Sequence, residues 1–197
     1  ITAMALNADA TGAVACGVTA ENGIEKSVVY VFDFTEEKPQ AFHEISADVV
    51  FDCEYLDNGS VCVIGENASY ILNGKNFSKL TKNSYSQMTL VSYDINTDTA
   101  ELMLSLSRSG DGRNCTVQCI GKSGSVNSQL VTDYAGTYTS SYKNRVAISD
   151  KSNIYLYTRS GELLSTVKAA GDSRQVRLIS PDAAVCLGLK DISLYTF

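Results

Sequence analysis

The feature that most constrains this chain is a repeat. Apolar, strand-like runs centred on Val14, Val61, Leu102, Val146 and Val185 recur at spacings of 47, 41, 44 and 39 residues. Turn-forming residues precede several of them, as in Ala10-Thr-Gly12 and Asp57-Asn-Gly59. About ten residues further on comes a second run with aromatic or aliphatic alternation: Val28–Phe34, Ser69–Leu72, Thr116–Ile120, Ile154–Tyr157 and Ile192–Tyr195. In three units this run ends at a glycine turn, Gly74, Gly124 or Gly161, where glycine supplies the positive φ of a tight hairpin. A more polar strand follows at Phe77–Leu80, Val126–Val131 and Leu163–Lys168. No segment of a dozen residues keeps a 3.6-residue period with caps, so no helix is predicted.

Each unit therefore reads as strand a, hairpin, strand b, loop, strand c, glycine turn, strand d. The boundaries fall at 1–46, 47–85, 86–133, 134–173 and 174–197, and the last unit lacks strand d. A four-stranded antiparallel meander of about 40 residues cannot bury both faces alone, whereas stacked copies can. The predicted fold is all-β, a single β-propeller domain over residues 1–197 with about 4.6 blades, read either as a five-bladed ring lacking one outer strand or, in preference, as part of a larger propeller. A regular β-sandwich is the competing architecture, and the recurring strand-and-glycine-turn pair argues against it. An incomplete set of blades should leave an apolar face open at each end, to self-associate or to be capped by other segments.

The units resemble blades of YVTN-like and quinoprotein-like β-propellers. The likeness is carried by Val61-Cys-Val-Ile64, by Val146-Ala-Ile148 and by the strand and turn from Ile154 to Glu162. Without tryptophan there is no Trp-Asp pair, so the WD-repeat group fits less well. More narrowly, Val49–Ser193 resembles propeller domains of membrane-anchored proteins from anaerobic Gram-positive bacteria. That resemblance implies an N-terminal transmembrane helix upstream of Ile1 and an extracytoplasmic propeller without assigned activity. A cytoplasmic location is the alternative.

Charge and cysteine usage bound the function. The net charge of −6 repels phosphate backbones, and no Lys/Arg run reverses it locally, so nucleic acid is not an expected partner. No apolar stretch is long enough to span a bilayer. Six cysteines without a C-x-x-C, and one distant histidine, predict neither a zinc site nor a disulfide framework. Cys62 and Cys186 stand where other units have Ala15 and Ala147, which marks a small buried core position; six free thiols, most of them buried, are expected.

Catalytic signatures are sparse. His43 lies in an outer-strand sequence with no serine or cysteine motif beside it. Asp94-Ile-Asn96-Thr-Asp98 opens like a calcium loop, but the sixth and twelfth places hold Thr99 and Ser105 where the pattern requires Gly and Glu. Neither a metal nor a cofactor is expected. The segments joining strands b and c in units one and three are the expected ligand surface, through Glu21, Asn22, Glu25, Arg108, Asp111 and Arg113. The sequence thus points to a non-catalytic binding module for a protein or cell-envelope ligand. The rival is an enzyme or cofactor-binding propeller of lyase, hydrolase or quinone-dependent dehydrogenase type.

Overall fold

A computed structural model of the protein describes residues 1–97, 99–108, 114–150, 152–170 and 173–197. Among these residues the chain is β-strand and turn, with one short 3-10 segment at Lys75–Phe77, and no helix is long and apolar enough to cross a membrane.

The strands form five antiparallel meanders in which neighbours in sequence are neighbours in the sheet. The first contains β1 (Ala3–Leu6), β2 (Gly12–Glu21), β3 (Ile24–Asp33) and β4 (Ala41–Ile45). The second contains β5 (Val50–Tyr55), β6 (Val61–Gly65), β7 (Ala68–Asn73) and β8 (Lys79–Ser84). The third contains β9 (Met88–Asn96), β10 (Glu101–Arg108), β11 (Cys115–Ile120) and β12 (Val126–Thr132). The fourth contains β13 (Tyr138–Tyr142), β14 (Arg145–Ser149), β15 (Asn153–Thr158) and β16 (Leu163–Lys168). The fifth has three strands, β17 (Gln175–Ser180), β18 (Ala183–Leu187) and β19 (Ile192–Thr196). These sheets are β-propeller blades, four complete and one short of its outer strand.

Internal contacts divide the chain into two compact units. One holds Ile1–Ser86, Thr97–Glu101 and Gly121–Ser125; the other holds Gln87–Asn96, Leu102–Ile120 and Val126–Phe197. In the first unit β5 packs on β1 and β2. Val14, Cys16, Val29 and Val31 of one sheet meet Val50, Cys53, Val61 and Val63 of the next. In the second unit β13 packs against both β9 and β17, and β14 shows how alternation serves two cores. Val146 and Ile148 join Met103, Cys115 and Val117 on one face, while Ala147 joins Leu156, Val176 and Cys186 on the other. The fourth strands β8 and β16 alternate exposed and half-buried residues, as outer strands with one wet face do.

One turn geometry recurs. In Leu56–Ser60, Gly121–Ser125 and Thr158–Glu162 the first N–H donates to the fifth carbonyl, at 2.9, 3.0 and 2.8 Å. The fourth N–H donates back to the first carbonyl, and the fourth residue is Gly59, Gly124 or Gly161 with φ of 77°, 83° and 97°. This is a type I turn closed by a left-handed residue, a common way to join strands of a right-twisted sheet.

Two sequence expectations are corrected here. Thr19–Lys26 is not a loop: β2 and β3 stay paired as far as Glu21 and Ile24 and are joined by Asn22-Gly23 alone. Positive φ at both residues, 53° and 76°, makes this a two-residue hairpin turn, and Asn-Gly is its strongest sequence signal. The strand expected at Phe77–Leu80 starts instead at Lys79, because Asn76 and Phe77 take positive φ in the preceding turn.

All six cysteines are free and buried, as the sequence led us to expect, and Cys62 (0% exposed) fills a core position like that of Ala147 (0%). The hydrogen bond with Cys53 and burial together push the Cys16 thiol up, far from thiolate formation. A disulfide-exchange reagent at neutral pH is therefore expected to titrate essentially no thiol in the native protein and all six in denaturant. Rapid native-state modification of Cys16 or Cys62 would contradict this packing.

Candidate functional site

The residues predicted from sequence are distributed as follows. Asn22 and Glu25 are exposed at the tip of the β2–β3 hairpin, where Lys26 pairs with Glu44 at 3.0 Å. The backbone of Glu21 closes the same hairpin opposite Ile24. Arg108 is exposed at the end of β10, in the second unit. Asp111 and Arg113 lie outside the described residues. His43 sits on β4 with Nε2 at 2.9 Å from the Phe77 carbonyl. A carbonyl only accepts, so Nε2 carries the proton and the ring serves as a strand-to-turn tie.

Successive connections of a meander alternate between the two ends of its sheet. One concavity of the first unit lies at the end opposite the β2–β3 hairpin, among the turns that follow β1 and β5. It is a hollow of about 600 Å³ whose polar lining comes from Asn7, Asp9, Glu54, Tyr55, Asp57 and Thr97. Local turn chemistry builds its walls. Asn7 Oδ1 accepts the N–H groups of Thr11 and Gly12, at 2.9 and 3.0 Å, and so fixes the turn that carries Asp9. On the other wall Asn58 Oδ1 accepts Ser60 N–H at 3.1 Å and Ser60 Oγ–H at 2.7 Å, which holds the turn that carries Asp57. The Asp57 N–H donates to the Thr97 carbonyl at 3.1 Å and seats the third turn segment beside them.

The hollow is acidic and has an aromatic flank. Asp9, Glu54 and Asp57 line it, and among the described residues its lining includes no lysine, arginine or histidine. Burial pushes the Glu54 carboxyl up; the Tyr55 N–H, donating to Oε1 at 3.2 Å, opposes the shift and the charge of Asp52 adds to it. Burial, with Asp33 nearby, pushes the Tyr55 phenol up to about 12, so it stays neutral. Tyr55 also borders a second hollow of about 160 Å³ with Asn7, Asp33 and Phe77, and the two rings meet edge to face with centroids 6.3 Å apart. Hydrogen bonds from Thr35 hold Asp33 below the usual carboxylate range. The surface thus joins four carboxylates to two aromatic rings, a combination that suits a cation with an apolar stem.

In the second unit the adjacent strands β9, β13 and β17 bring Asp94, Ser141 and Arg177 together. Asp94 Oδ2 accepts the N–H and Oγ–H of Ser141 at 2.7 and 3.1 Å, and Oδ1 meets Arg177 Nη1 at 2.7 Å. The sequence had linked Asp94 only to a failed calcium-loop pattern. Its mid-strand place in β9 was the available signal, because a carboxylate on a strand's inner face needs donors from the neighbouring strands. Asp48 does the same in the first unit, accepting Asn67 N–H at 2.9 Å and Tyr70 O–H at 2.8 Å.

Comparisons with solved structures agree on the fold. The chain superposes on a eukaryotic initiation factor with TM-score 0.67 and 10% identity, covering 94% of this chain and 49% of that one. It superposes on the N-terminal domain of Nup159 with TM-score 0.60 and 11% identity, covering 100% of this chain and 58% of that one. For Hsv2 of Kluyveromyces lactis the values are 0.63 and 9%, with 99% and 72% covered. All three are β-propeller proteins. The chain spans about half the length of the first two, and at these identities the likeness speaks for the fold alone. No curated protein matches it. Residues 1–181 do match one family throughout, and the chain belongs to it: the Family of unknown function (DUF5711).

Proposed function

We propose that this propeller is a non-catalytic, extracytoplasmic binding module of YVTN-like type, and that its first unit takes a basic segment of a protein partner in the acidic hollow. Three carboxylates that line one hollow together with Tyr55, with no basic residue in the lining among the described residues, carry this reading. A lysine or arginine side chain would gain charge-assisted hydrogen bonds from Asp9, Glu54 and Asp57, and its methylenes would lie against Tyr55. The net charge of −6 would steer such a partner inward, and it disfavours an anionic envelope polymer.

A capped lysine-rich peptide is a suitable probe, with its glutamate counterpart as control. The wild-type protein should bind the lysine peptide and ignore the glutamate one. Combining Asp9→Asn, Glu54→Gln and Asp57→Asn should weaken binding by about tenfold per carboxylate. Equal binding by the variant would overturn the assignment. Acidification gives an independent check. Protonation of Glu54 removes an attractive charge, and its raised pKa means that affinity starts to fall at a higher pH than an exposed glutamate would dictate. Glu54→Gln should abolish that early fall.

The enzymatic alternative has one observation in its favour. A carboxyl raised by burial that shares a hollow with other carboxylates is one element of a hydrolytic acid–base pair, and Glu54 lines the same hollow as Asp9 and Asp57. Turnover of a glycoside by the wild type but not by Glu54→Gln would favour it over the binding reading.

A further inference from the structure

Beside the acidic hollow lies the smaller one of about 160 Å³, and its character is different. The two share Asn7, Tyr55 and Gly59, so they meet at Tyr55. Pockets for whole small molecules begin at roughly 300 Å³, and this hollow fits a single side chain.

Its walls offer two rings and one carboxylate. Tyr55 and Phe77 stand edge to face. Phe77 takes a φ of 52°, a left-handed conformation that bulky residues rarely adopt, and His43 ties its carbonyl at 2.9 Å. The fold thus holds an aromatic ring at this place against local backbone preference. Asp33 supplies the charge. Thr35 donates its N–H and its Oγ–H to Asp33 Oδ1, at 2.9 and 2.7 Å, which keeps the carboxylate ionised and leaves Oδ2 outside that turn. The cross-strand partner of Asp33 is Gly12, so the position opposite the carboxylate on β2 carries no side chain. Gln40 adds an amide that can accept, and among the described residues the lining includes no basic group.

The two basic side chains need different surroundings. An ammonium is a compact, strongly hydrated point charge, which a roomy hollow with several carboxylates accommodates. A guanidinium is flat and weakly hydrated, stacks on aromatic faces and spreads five donors in one plane. A narrow space beside two rings, with acceptors on Asp33 and Gln40, suits the guanidinium.

We propose that the smaller hollow is an arginine subsite, where the guanidinium packs on Tyr55 and Phe77 and donates to Asp33. The recognised segment then carries an arginine close in sequence to the basic residue held by Asp9, Glu54 and Asp57. This rests on the reading of the acidic hollow as the site for a basic segment, and it adds the residue type that the segment must contain.

The test measures binding of capped peptides to the full chain. One peptide carries only lysines, a second set replaces each lysine in turn by arginine, and a control puts uncharged citrulline in the best arginine position. Arginine at one position should tighten binding by about tenfold over lysine, and citrulline should lose that gain. Asp33→Asn keeps an acceptor for Thr35, and Phe77→Leu keeps an apolar side chain at a partly buried place. Each variant should retain the wild-type circular dichroism, bind the lysine peptide within about threefold of wild type and lose the arginine gain. Equal binding of the lysine and arginine peptides by the wild type would overturn the subsite. So would an arginine gain that survives both substitutions. In either case the acidic hollow stands if the lysine peptide still depends on Asp9, Glu54 and Asp57. Binding by none of the peptides would overturn the acidic-hollow reading itself, and the subsite with it.

Discussion

Replacing Gly65 by alanine is expected to cost about 3 kcal/mol of stability, although it adds a single methyl group. A Cβ built on Gly65 would lie 2.6 Å from Asp48 Oδ2 and 2.8 Å from Asp48 Cγ, closer than real Cβ atoms approach anything. The carboxylate cannot swing aside. It is 6% exposed, and it is held by the N–H of Asn67 and the hydroxyl of Tyr70. Its own carbonyl accepts the Ser27 hydroxyl at 2.8 Å, and the Ser27 Oγ accepts the Val50 N–H in turn. Asp48→Ala should cost about 2 kcal/mol, because it leaves the buried Tyr70 hydroxyl and the half-buried Asn67 N–H without this partner. Together the two substitutions should cost less than their sum, since alanine at position 48 removes the atoms that alanine at position 65 would strike. Urea denaturation of the four proteins measures this coupling. Strict additivity would mean that Gly65 and Asp48 are not in the contact described.

Asp94→Ala in the second unit should cost about 3 kcal/mol, while Arg177→Ala should cost less than about 1 kcal/mol. The asymmetry follows from burial. Asp94 is 6% exposed and ties β9 to β13 through the Ser141 backbone, so its loss strands a buried N–H. The Arg177 side chain is 61% exposed, and water screens and replaces most of what its ion pair supplies. Asp94→Asn, which keeps an acceptor but not the charge, should fall between them. Equal costs for Asp94→Ala and Arg177→Ala would show the ion pair, rather than the strand tie, to be what matters.

Much of the fold was legible because it is written locally and repeatedly. The turn glycines Gly59, Gly124 and Gly161 sit at the one turn position that needs a left-handed residue, and the small core residues Ala15, Cys62, Ala147 and Cys186 mark one register. What failed failed for local reasons too. The Asn22-Gly23 turn was hidden by the polar residues of a hairpin that projects past its neighbours, so the alternation that marks a half-buried strand was absent. The Lys79 strand start was displaced by positive φ at Asn76, where asparagine is at home, and at Phe77, whose residue type does not announce it.

The candidate site was less legible, because its residues belong together only after folding. Asp9, Asp57 and Thr97 come from turns, and Glu54 from the end of β5, in three different repeats, and no motif links them to one another. Asp48 and Asp94 were passed over for the same reason: their partners lie on other strands, as far away in sequence as Arg177 is from Asp94.

The most direct measurement is backbone amide chemical-shift mapping of the full chain during titration with the capped lysine-rich peptide. Saturable shifts are expected at Asn7, Asp9, Tyr55, Asp57 and Thr97, and should vanish when Asp9, Glu54 and Asp57 are neutralised together. Shifts confined to the Asn22–Glu25 hairpin tip and Arg108, or none at all, would contradict the assignment of the acidic hollow as the binding site.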